Sequence, residues 1–445
     1  MAETGCSGSE GGGLSSGDEL VAVSDPDGVV TGAEPRWRMR RDNLWHQATG
    51  VIVRDPLGRV YVHRRTATKD VFPGMHDCCA GGVVLAGEDP EDAARRELAE
   101  ELGIDGVRLH PVLRSSYADS ATRHHASVYE VVWSGPLRHQ VDEVAWGGWL
   151  TLQELSARLA DPTWPFVPDT RALIADWLAA RLADRQVISG GWDSEATLVE
   201  GRWIDRVPRR AEVAPALRRE TRLLPWLAAR LPLPVPVPVV VGDDPLRVRH
   251  VAIRGEAATS PTAAMGTDLG DFLHVLHATP TADAIRRGVP GPDQWRAERQ
   301  RSLTRFEHDV LPLLPGVSQP AAQRLLAALT DTPASVVIHG DLGPDHLLVE
   351  DGKLTGVIDW TDANIGDPAL DLAWVLHGSS AGFATALAAA YGVDDSLRRR
   401  AWLWHQLGPW HEVTYGIDTA QDAFVESGLA GVLERLYSEP RHTDL

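Results

Sequence analysis

Apolar positions in this chain change period several times, and each change marks an element. ELVAVSD and GVVTG flank Pro26-Asp27-Gly28 and predict a hairpin that begins at Glu19. ATGVIVRD, then RVYVHRR after Pro56-Leu57-Gly58, predicts a second hairpin. At Asp89-Pro90-Glu91 the spacing becomes helical, with acidic residues in the first turn, and the helix runs to Gly103. RHHASVYEVVW is a later strand, and a helix from about Asp169 to Ala183 closes this part of the chain. Beyond Gln186, VISGGWDSEATLVEGRWIDRVP predicts two or three short strands. Val213 to Arg230 is a helix, stopped by LPLPVPVPV, whose alternating prolines force extended chain. HVAIRGEA is read as a connection between two lobes. From Gly266 the pattern is mainly helical, broken by a hairpin in which HLLVE and KLTGVIDW flank Asp351-Gly352.

At 445 residues the chain exceeds one ordinary core, and these breaks divide it. Residues 1–17 are too rich in Gly and Ser to bury apolar surface and are expected to be disordered. One domain is expected over residues 18–185 and a second over 186–445, with a small lobe to about 255 and a helical lobe from about 256. The formal charge of -19 argues against nucleic acid, whose phosphates need a basic surface. Lys69 and Lys353 are the only lysines, so Arg supplies almost all positive charge. Cys6, Cys78 and Cys79 form no CxxC pair, which suggests neither a disulfide framework nor a zinc site. With no basic-then-apolar leader and no apolar run near the roughly 20 residues of a membrane span, a cytoplasmic location is expected.

Glu97, Glu100 and Glu101 stand at i, i+3 and i+4 and so share one helix face, although like charges at that spacing destabilise a helix. Leu98 and Leu102 lie on another face, one turn apart, and are expected in the core. A solvated acidic face with Arg95 and Arg96 as local partners explains one or two of these carboxylates but not three together. Hard oxygen ligands gathered in this way suit Mg²⁺ or Mn²⁺ bridging to phosphates. The stretch GVVLAGEDPEDAARRELAEELGI, through Gly82, Glu88, Arg96, Glu97, Glu100, Glu101, Gly103 and Ile104, resembles the Nudix signature of diphosphate-cleaving hydrolases. That resemblance implies Glu97, Glu100 and Glu101 as metal ligands, with Glu100 and Glu101 the catalytic carboxylates. It also implies that Arg96 orients them, that Gly82 lends its backbone and that Glu88 is structural. Glu143 is the candidate for an acid recruited from outside the signature. HRRTATKDVFPGMHDCCAGG also resembles isopentenyl-diphosphate isomerases, but the position of their catalytic Cys holds Gly81, so that reading is disfavoured. His63, Arg64, Arg65 and Lys69 are read either as contacts to an anionic substrate or as plain edge-strand charges.

The second cluster lies in HGDLGPDHLL and IDW. If Glu350 faces Lys353 across the hairpin, His346 falls opposite Val357, with Asp359 two residues on and Asp341 in the adjoining loop. Three groups converging there suit phosphoryl transfer, with one carboxylate taking the hydroxyl proton and two ligands holding Mg²⁺ against nucleotide phosphates. With GDPALDLAW downstream, the second half resembles the aminoglycoside phosphotransferase superfamily. The resemblance implies Asp341 as catalytic base, Asp359 and His346 as metal ligands, and His339 and Asp371 as braces of the loop. His346 replaces the commoner Asn, as in macrolide phosphotransferases, which share the Asp359-Trp360-Thr361 segment. Arg206 stands where many relatives have a phosphate-gripping Lys, Glu220 is its expected partner, Ser194 replaces a common Asn, and the backbone at Val251 and Ile253 is expected to hold the base. Asp367 before Pro368 is an expected N-cap. Trp402, Trp404, Trp410, Tyr415, His411 and Glu412 are candidates for an acceptor pocket.

The expected fold class is therefore α/β and α+β, a Nudix α/β/α sandwich followed by a two-lobed protein-kinase-like fold. The expected function is bifunctional, an Mg²⁺-dependent diphosphate hydrolase and a kinase using ATP or GTP on a small-molecule hydroxyl, with a macrolide or aminoglycoside as first guess. The alternative is a Nudix hydrolase regulated by a catalytically weak kinase-fold module. Small molecules and nucleotide are the expected partners, without nucleic acid or membrane.

Overall fold

The computed structural model describes residues 18–188 and 193–439, so the expected disordered start lies outside the described residues. The described residues divide into two compact units, one running to Gln186 with Val199–Gly201, the other made of the remaining described residues from Val187 on. Among the described residues, no helix is long and apolar enough to cross a membrane.

The first unit runs β1 (Leu20–Ser24), β2 (Val30–Pro35), α1 (Arg36–Arg41), β3 (Trp45–Arg54), β4 (Val60–Arg65), β5 (His76–Asp77), β6 (Cys79–Val83), α2 (Pro90–Leu102), β7 (His110–Ala118), β8 (Arg123–Val132), β9 (Val144–Leu150), α3 (Leu152–Ala160) and α4 (Pro168–Ala183). Its strands join in one sheet. Val51, Ile52 and Val53 are all buried, so β3 must be covered on both faces, which places it at the sheet centre. Val51 and Val53 pack with Leu98 and Leu102 of α2, while Ile52 packs with Leu155 of α3 and Ile174 and Trp177 of α4. The result is a sheet between helical layers.

Two sequence expectations change here. β3 and β4 meet antiparallel across the Pro56-Leu57-Gly58 turn, as the expected hairpin requires, but their pairing is confined to Arg54↔Val60. Instead β3 pairs antiparallel with β6 and in parallel with all of β8, because its two apolar faces demand the interior position. β4 in turn pairs with β5 and along its length with β9, so its charges do not sit on an edge strand. The predicted helix appears as α2, opened by Asp89, whose side chain accepts from the Glu91 amide, and closed by Gly103 in the left-handed conformation.

The second unit runs β10 (Arg185–Ile188), β11 (Ser194–Val199), β12 (Trp203–Pro208), α5 (Ala214–Ala228), β13 (Val239–Asp243), β14 (Leu246–Val251), β15 (Glu256–Ala257), α6 (Ala263–His277), α7 (Thr281–Arg286), α8 (Pro292–Arg305), α9 (Gln319–Leu329), β16 (Val336–Ile338), β17 (Leu347–Glu350), β18 (Lys353–Val357), β19 (Asn364–Gly366), α10 (Pro368–Gly378), α11 (Ala381–Tyr391), α12 (Asp395–Thr419) and α13 (Asp422–Tyr437). Five strands form a sheet in the order β10-β11-β12-β14-β13, with Leu217 of α5 packed on Val248. A larger core gathers Phe272, Phe306, Trp360, Phe383 and Trp410 among the helices.

The β17–β18 hairpin corrects the expected register. Glu350 faces Lys353 as expected, but an irregularity between Leu348 and Val349 leaves Leu347, not His346, opposite Val357. An extra residue in one strand shifts everything beyond it. The Ile358 amide then donates to the His346 carbonyl at 2.9 Å, and His346 lies one residue nearer Asp359 than an unbroken ladder allows.

At Gly81 the β3–β6 pairing is too close for a side chain: an added Cβ would sit 2.1 Å from the Thr49 carbonyl oxygen and 2.7 Å from Gly50 Cα. The isomerase cysteine therefore has no room at this position. Gly81→Ala must separate two central strands, and we expect a loss of about 3 kcal/mol, at the upper end for overpacking. A calorimetric melt in which the first unit unfolds at the parent temperature contradicts that packing.

Candidate active sites

In the first unit, α2 and the Gly82 segment build an acidic seat. Arg96 donates to both oxygens of Glu88, at 3.0 and 3.1 Å, and to Glu97 at 2.7 Å. Glu88 accepts from the Leu85 amide at 2.9 Å, so it pins the loop before α2 and aims Arg96. Glu97 and Glu101 are buried, whereas Glu100 is exposed and reaches Arg96 at 3.5 Å. Leu98 and Leu102 enter the core as predicted.

Burial pushes the Glu97 carboxyl up, against the pull of Arg96. It pushes Glu101 up much further, and the Lys69 charge only partly offsets this. Glu101 Oε2 is buried without a hydrogen-bond partner. A carboxylate in that state is costly unless something cationic completes it. A Cβ at Gly82 would lie 2.4 Å from Glu97 Oε1, so the glycine leaves the space that any side chain would fill. The orphaned oxygen, the close seating of Glu97 on Gly82 and the all-oxygen donor set fit a hard divalent cation.

Glu143, proposed from outside the signature, is brought to this seat. It hydrogen-bonds the Lys69 ammonium and faces Glu101, with Lys69 4.0 Å from Glu101. Burial would raise Glu143, but the Lys69 hydrogen bond and charge outweigh it and hold the carboxyl low. His63 is buried, with burial pulling it down to about 4, and Arg64 is exposed. Arg65 lies 3.8 Å from Asp77.

In the second unit, a buried carboxylate organises the loop between β16 and β17. Asp371 is fully buried at the start of α10 and accepts from the backbone amides of His339 at 2.8 Å and Gly340 at 2.9 Å. Burial alone would raise it, but His277, at 3.0 Å, and the loop amides keep it low and ionised. His339 accepts at Nδ1 from the Asp341 amide at 3.3 Å and donates from Nε2 to the Ile358 carbonyl at 2.9 Å. Gly340 has φ 91°, and a Cβ there would meet the Asp362 carbonyl oxygen at 2.4 Å.

That frame presents three groups. Asp341 is 64% exposed at the side chain, free to meet an acceptor. His346 Nδ1 donates to the Asp341 carbonyl at 2.5 Å, which leaves the Nε2 lone pair facing Asp359 Oδ2 at 3.8 Å. Asp359 is held in the left-handed region, φ 62°. Burial would raise its carboxyl, but the Arg206 charge and the Thr361 hydroxyl hold it low. The pair Nε2 and Oδ2 is a donor set into which a divalent cation fits.

Arg206 is fully occupied. Its Nε donates to Ser194 at 3.0 Å, Nη1 to both oxygens of Glu220 at 3.1 and 2.9 Å, and Nη2 to Thr361 at 2.8 Å and Asp359 at 3.3 Å. The expected Arg206–Glu220 pair is thus present, with Ser194 beside it. The contact of Arg206 with Asp359 was not foreseen, since it joins residues 153 apart in sequence. Val251 ends β14 opposite Trp203, exposed, and its carbonyl meets His250 Nδ1 at 2.9 Å; Ile253 follows in the connection, packed beside Gly356.

Asp367 caps α10, accepting from the Ala369 amide at 3.1 Å, and also anchors Arg400 and Trp404 at 3.0 Å each. Trp404 and Trp410 are therefore core residues, whereas Trp402 is half-buried and stacks on His405. Tyr415 stands edge-on to Phe424, and His411 is exposed, edge-on to Phe306. Among the expected wall residues, Trp402, His411, Glu412 and Tyr415 keep surface to offer; Trp404 and Trp410 do not.

Comparison with known proteins finds relatives for both halves of the chain. Residues 44–170 match the Nudix domain family, and residues 184–407 match the phosphotransferase enzyme family. The chain is 48% identical over 174 residues to the uncharacterized Nudix hydrolase orf19 of Rhodococcus erythropolis, covering 37% of this chain and 94% of that protein. It is 46% identical over 158 residues to an uncharacterized Nudix hydrolase of Streptomyces coelicolor, covering 35% and 86%. In structure it is similar to the GDP complex of wild-type aminoglycoside 2'-phosphotransferase-IIIa, with TM-score 0.51, 26% identity and coverage of 57% of this chain and 92% of that one. A GDP and kanamycin complex of an aminoglycoside phosphotransferase gives TM-score 0.52 and 25% identity, covering 59% and 97%. The two halves thus carry the α/β/α and kinase-like folds expected of two enzyme families, and the chain belongs to both the Nudix hydrolases and the phosphotransferase enzyme family.

Proposed function

We propose that the chain is a bifunctional enzyme, a divalent-metal-dependent diphosphate hydrolase joined to a nucleotide-dependent kinase of small-molecule hydroxyl groups. The observation that carries the first half is the buried, unpartnered oxygen of Glu101 beside Glu97 and Glu143. In the first unit Glu97, Glu100 and Glu101 would hold Mg²⁺ or Mn²⁺, with Glu143 as an added acid. The bound cation would supply charge neutralisation at the phosphate oxygens. Arg96 aims Glu97 and opposes the effect of its burial, and a seat carboxylate takes a proton from the attacking water as the diphosphate P–O bond breaks.

In the second unit His346 and Asp359 would hold the metal, and Asp341 would accept the hydroxyl proton of the acceptor as its oxygen bonds to the γ-phosphorus and the nucleoside diphosphate leaves. The Asp371 network holds Asp341 in place for that transfer. The GDP bound in the two structural relatives makes GTP the donor to test beside ATP. Kanamycin in one of them supports an aminoglycoside, and the residues His346 and Asp359-Trp360-Thr361 support a macrolide.

Glu101→Gln should lower diphosphatase activity by about 10³-fold or more while leaving phosphoryl transfer intact, and Asp341→Ala should do the reverse. The check is mass spectrometry of a pooled macrolide and aminoglycoside panel with Mg²⁺ and ATP or GTP, run beside phosphate release from diphosphate-linked nucleotides and sugars. A phosphorylated panel member that persists in Asp341→Ala rules out the assigned base.

The full engagement of Arg206 favours one second reading, a kinase-fold ligand module with little turnover, because the arginine that would grip phosphate already holds Asp359. Arg206→Ala then raises nucleotide affinity, whereas it lowers both affinity and turnover if Arg206 swings to the phosphates. Because the change also strands Glu220, which burial already pushes up, we expect it to cost about 3 kcal/mol of stability. Titration calorimetry with GTP and ATP, read with a thermal melt, separates the two.

A further inference from the structure

The arginines of α1 do not behave alike. Arg38 pairs with Glu34 at 3.0 Å and Asp42 at 3.7 Å, and Arg41 pairs with Asp42 at 2.7 Å. Arg36 has only Glu19, at 3.3 Å, and Arg40 makes no ion pair among the described residues. Arg36 and Arg40 stand at i and i+4, a spacing at which like charges repel. Arg65 of β4 is near enough to add its charge to Arg40, with only Asp70 opposing. The Nε atoms of Arg36, Arg40 and Arg65 are all buried and without hydrogen-bond partners. Burial and the neighbouring Arg36 charge hold Arg40 below the ordinary arginine value. Arg36 keeps Glu19 and Arg65 lies 3.8 Å from Asp77, but each of the three guanidinium groups leaves its Nε donor out of water and without an acceptor, which costs stability.

Their place is fixed by the Gly82 segment. Met39 of α1 packs with Val21, Val23 and Val83. The Ala22 amide donates to the Val84 carbonyl at 3.0 Å, and the Ala86 amide to the Leu20 carbonyl at 2.9 Å. The β1–β2–α1 segment is thus built onto the loop that frames the acidic seat. The charges of Arg36 and Arg65 are felt at Glu97 and Glu143 respectively. Positive groups with buried donors still unsatisfied therefore border carboxylates that suit a cation, an arrangement that suits a phosphate chain neutralised at one end by metal and at the other by guanidinium. Arg36 and Arg40 precede residue 44, where the match to the Nudix family begins.

We propose that Arg36, Arg40 and Arg65 form an anion-binding subsite for the phosphate group of the substrate that lies away from the metal seat, so that this unit selects diphosphate-linked substrates with an exposed, doubly charged terminal phosphate. This rests on the hydrolase reading of the first unit. The test is titration calorimetry of the full chain with inorganic pyrophosphate in the presence of a metal chelator. Arg40→Gln and Arg36→Gln should each weaken the binding component by about tenfold or more. Arg40→Lys should retain part of it. Without pyrophosphate, Arg40→Gln should melt at or above the parent temperature, as a purely structural arginine would not. Unchanged pyrophosphate affinity in both Gln variants, or no binding by the parent, overturns the subsite. Diphosphatase assays separate the two claims. An inactive parent with Arg40-dependent pyrophosphate binding sinks the hydrolase reading and keeps the subsite. An active parent whose KM is unmoved by Arg40→Gln does the opposite.

Discussion

A carboxylate removed from water must find a cation or a set of N–H donors, and the chain meets that requirement unevenly. In the second unit Asp371 has two backbone amides and His277, Asp367 has Arg400 and Trp404, and Glu220 has Arg206. These buried acids hold structure, and each is fully supplied. Glu101 in the first unit has an oxygen with no partner. The same physical rule that makes Asp371 complete leaves Glu101 with an oxygen open to an added cation. What separates the two carboxylates is whether the protein itself completes them.

Much of this was legible from the chain alone, for a definite reason. Signals carried within one element survive folding unchanged. Asp89 and Gly103 bound α2 because capping is local, and Glu97 and Glu101 share a face because helical spacing demands it. The Asp351-Gly352 turn set its own hairpin, with Glu350 opposite Lys353. Asp341, His346 and Asp359 could be gathered from that turn and one short loop.

Relations set by the rest of the fold were not legible. The irregularity at Leu348 and Val349 moved His346 by one register position, and nothing in HLLVEDGKLTGV marks it. Chain proximity pointed to β3 and β4 as partners, but β3 is apolar at consecutive positions and took the sheet centre beside β8, which comes much later. His277 reached Asp371 across 94 residues, and Arg206 reached Asp359 across 153. Nothing in the chain singled out Arg36 and Arg40, because only the folded structure leaves the Nε of each buried without an acceptor.

Arg206 shows how tightly one substitution can bind others. Its guanidinium serves four residues through a planar fork of donors, two of them on Glu220 and one each on Ser194, Thr361 and Asp359. A lysine offers three protons from a single point, and no placement of one ammonium reaches that spread of acceptors. The residue at 206 is therefore not free to drift to lysine while its neighbours stay as they are. Ser194 and Thr361 would have to change with it, so position 206 and its acceptors can only be altered as a set.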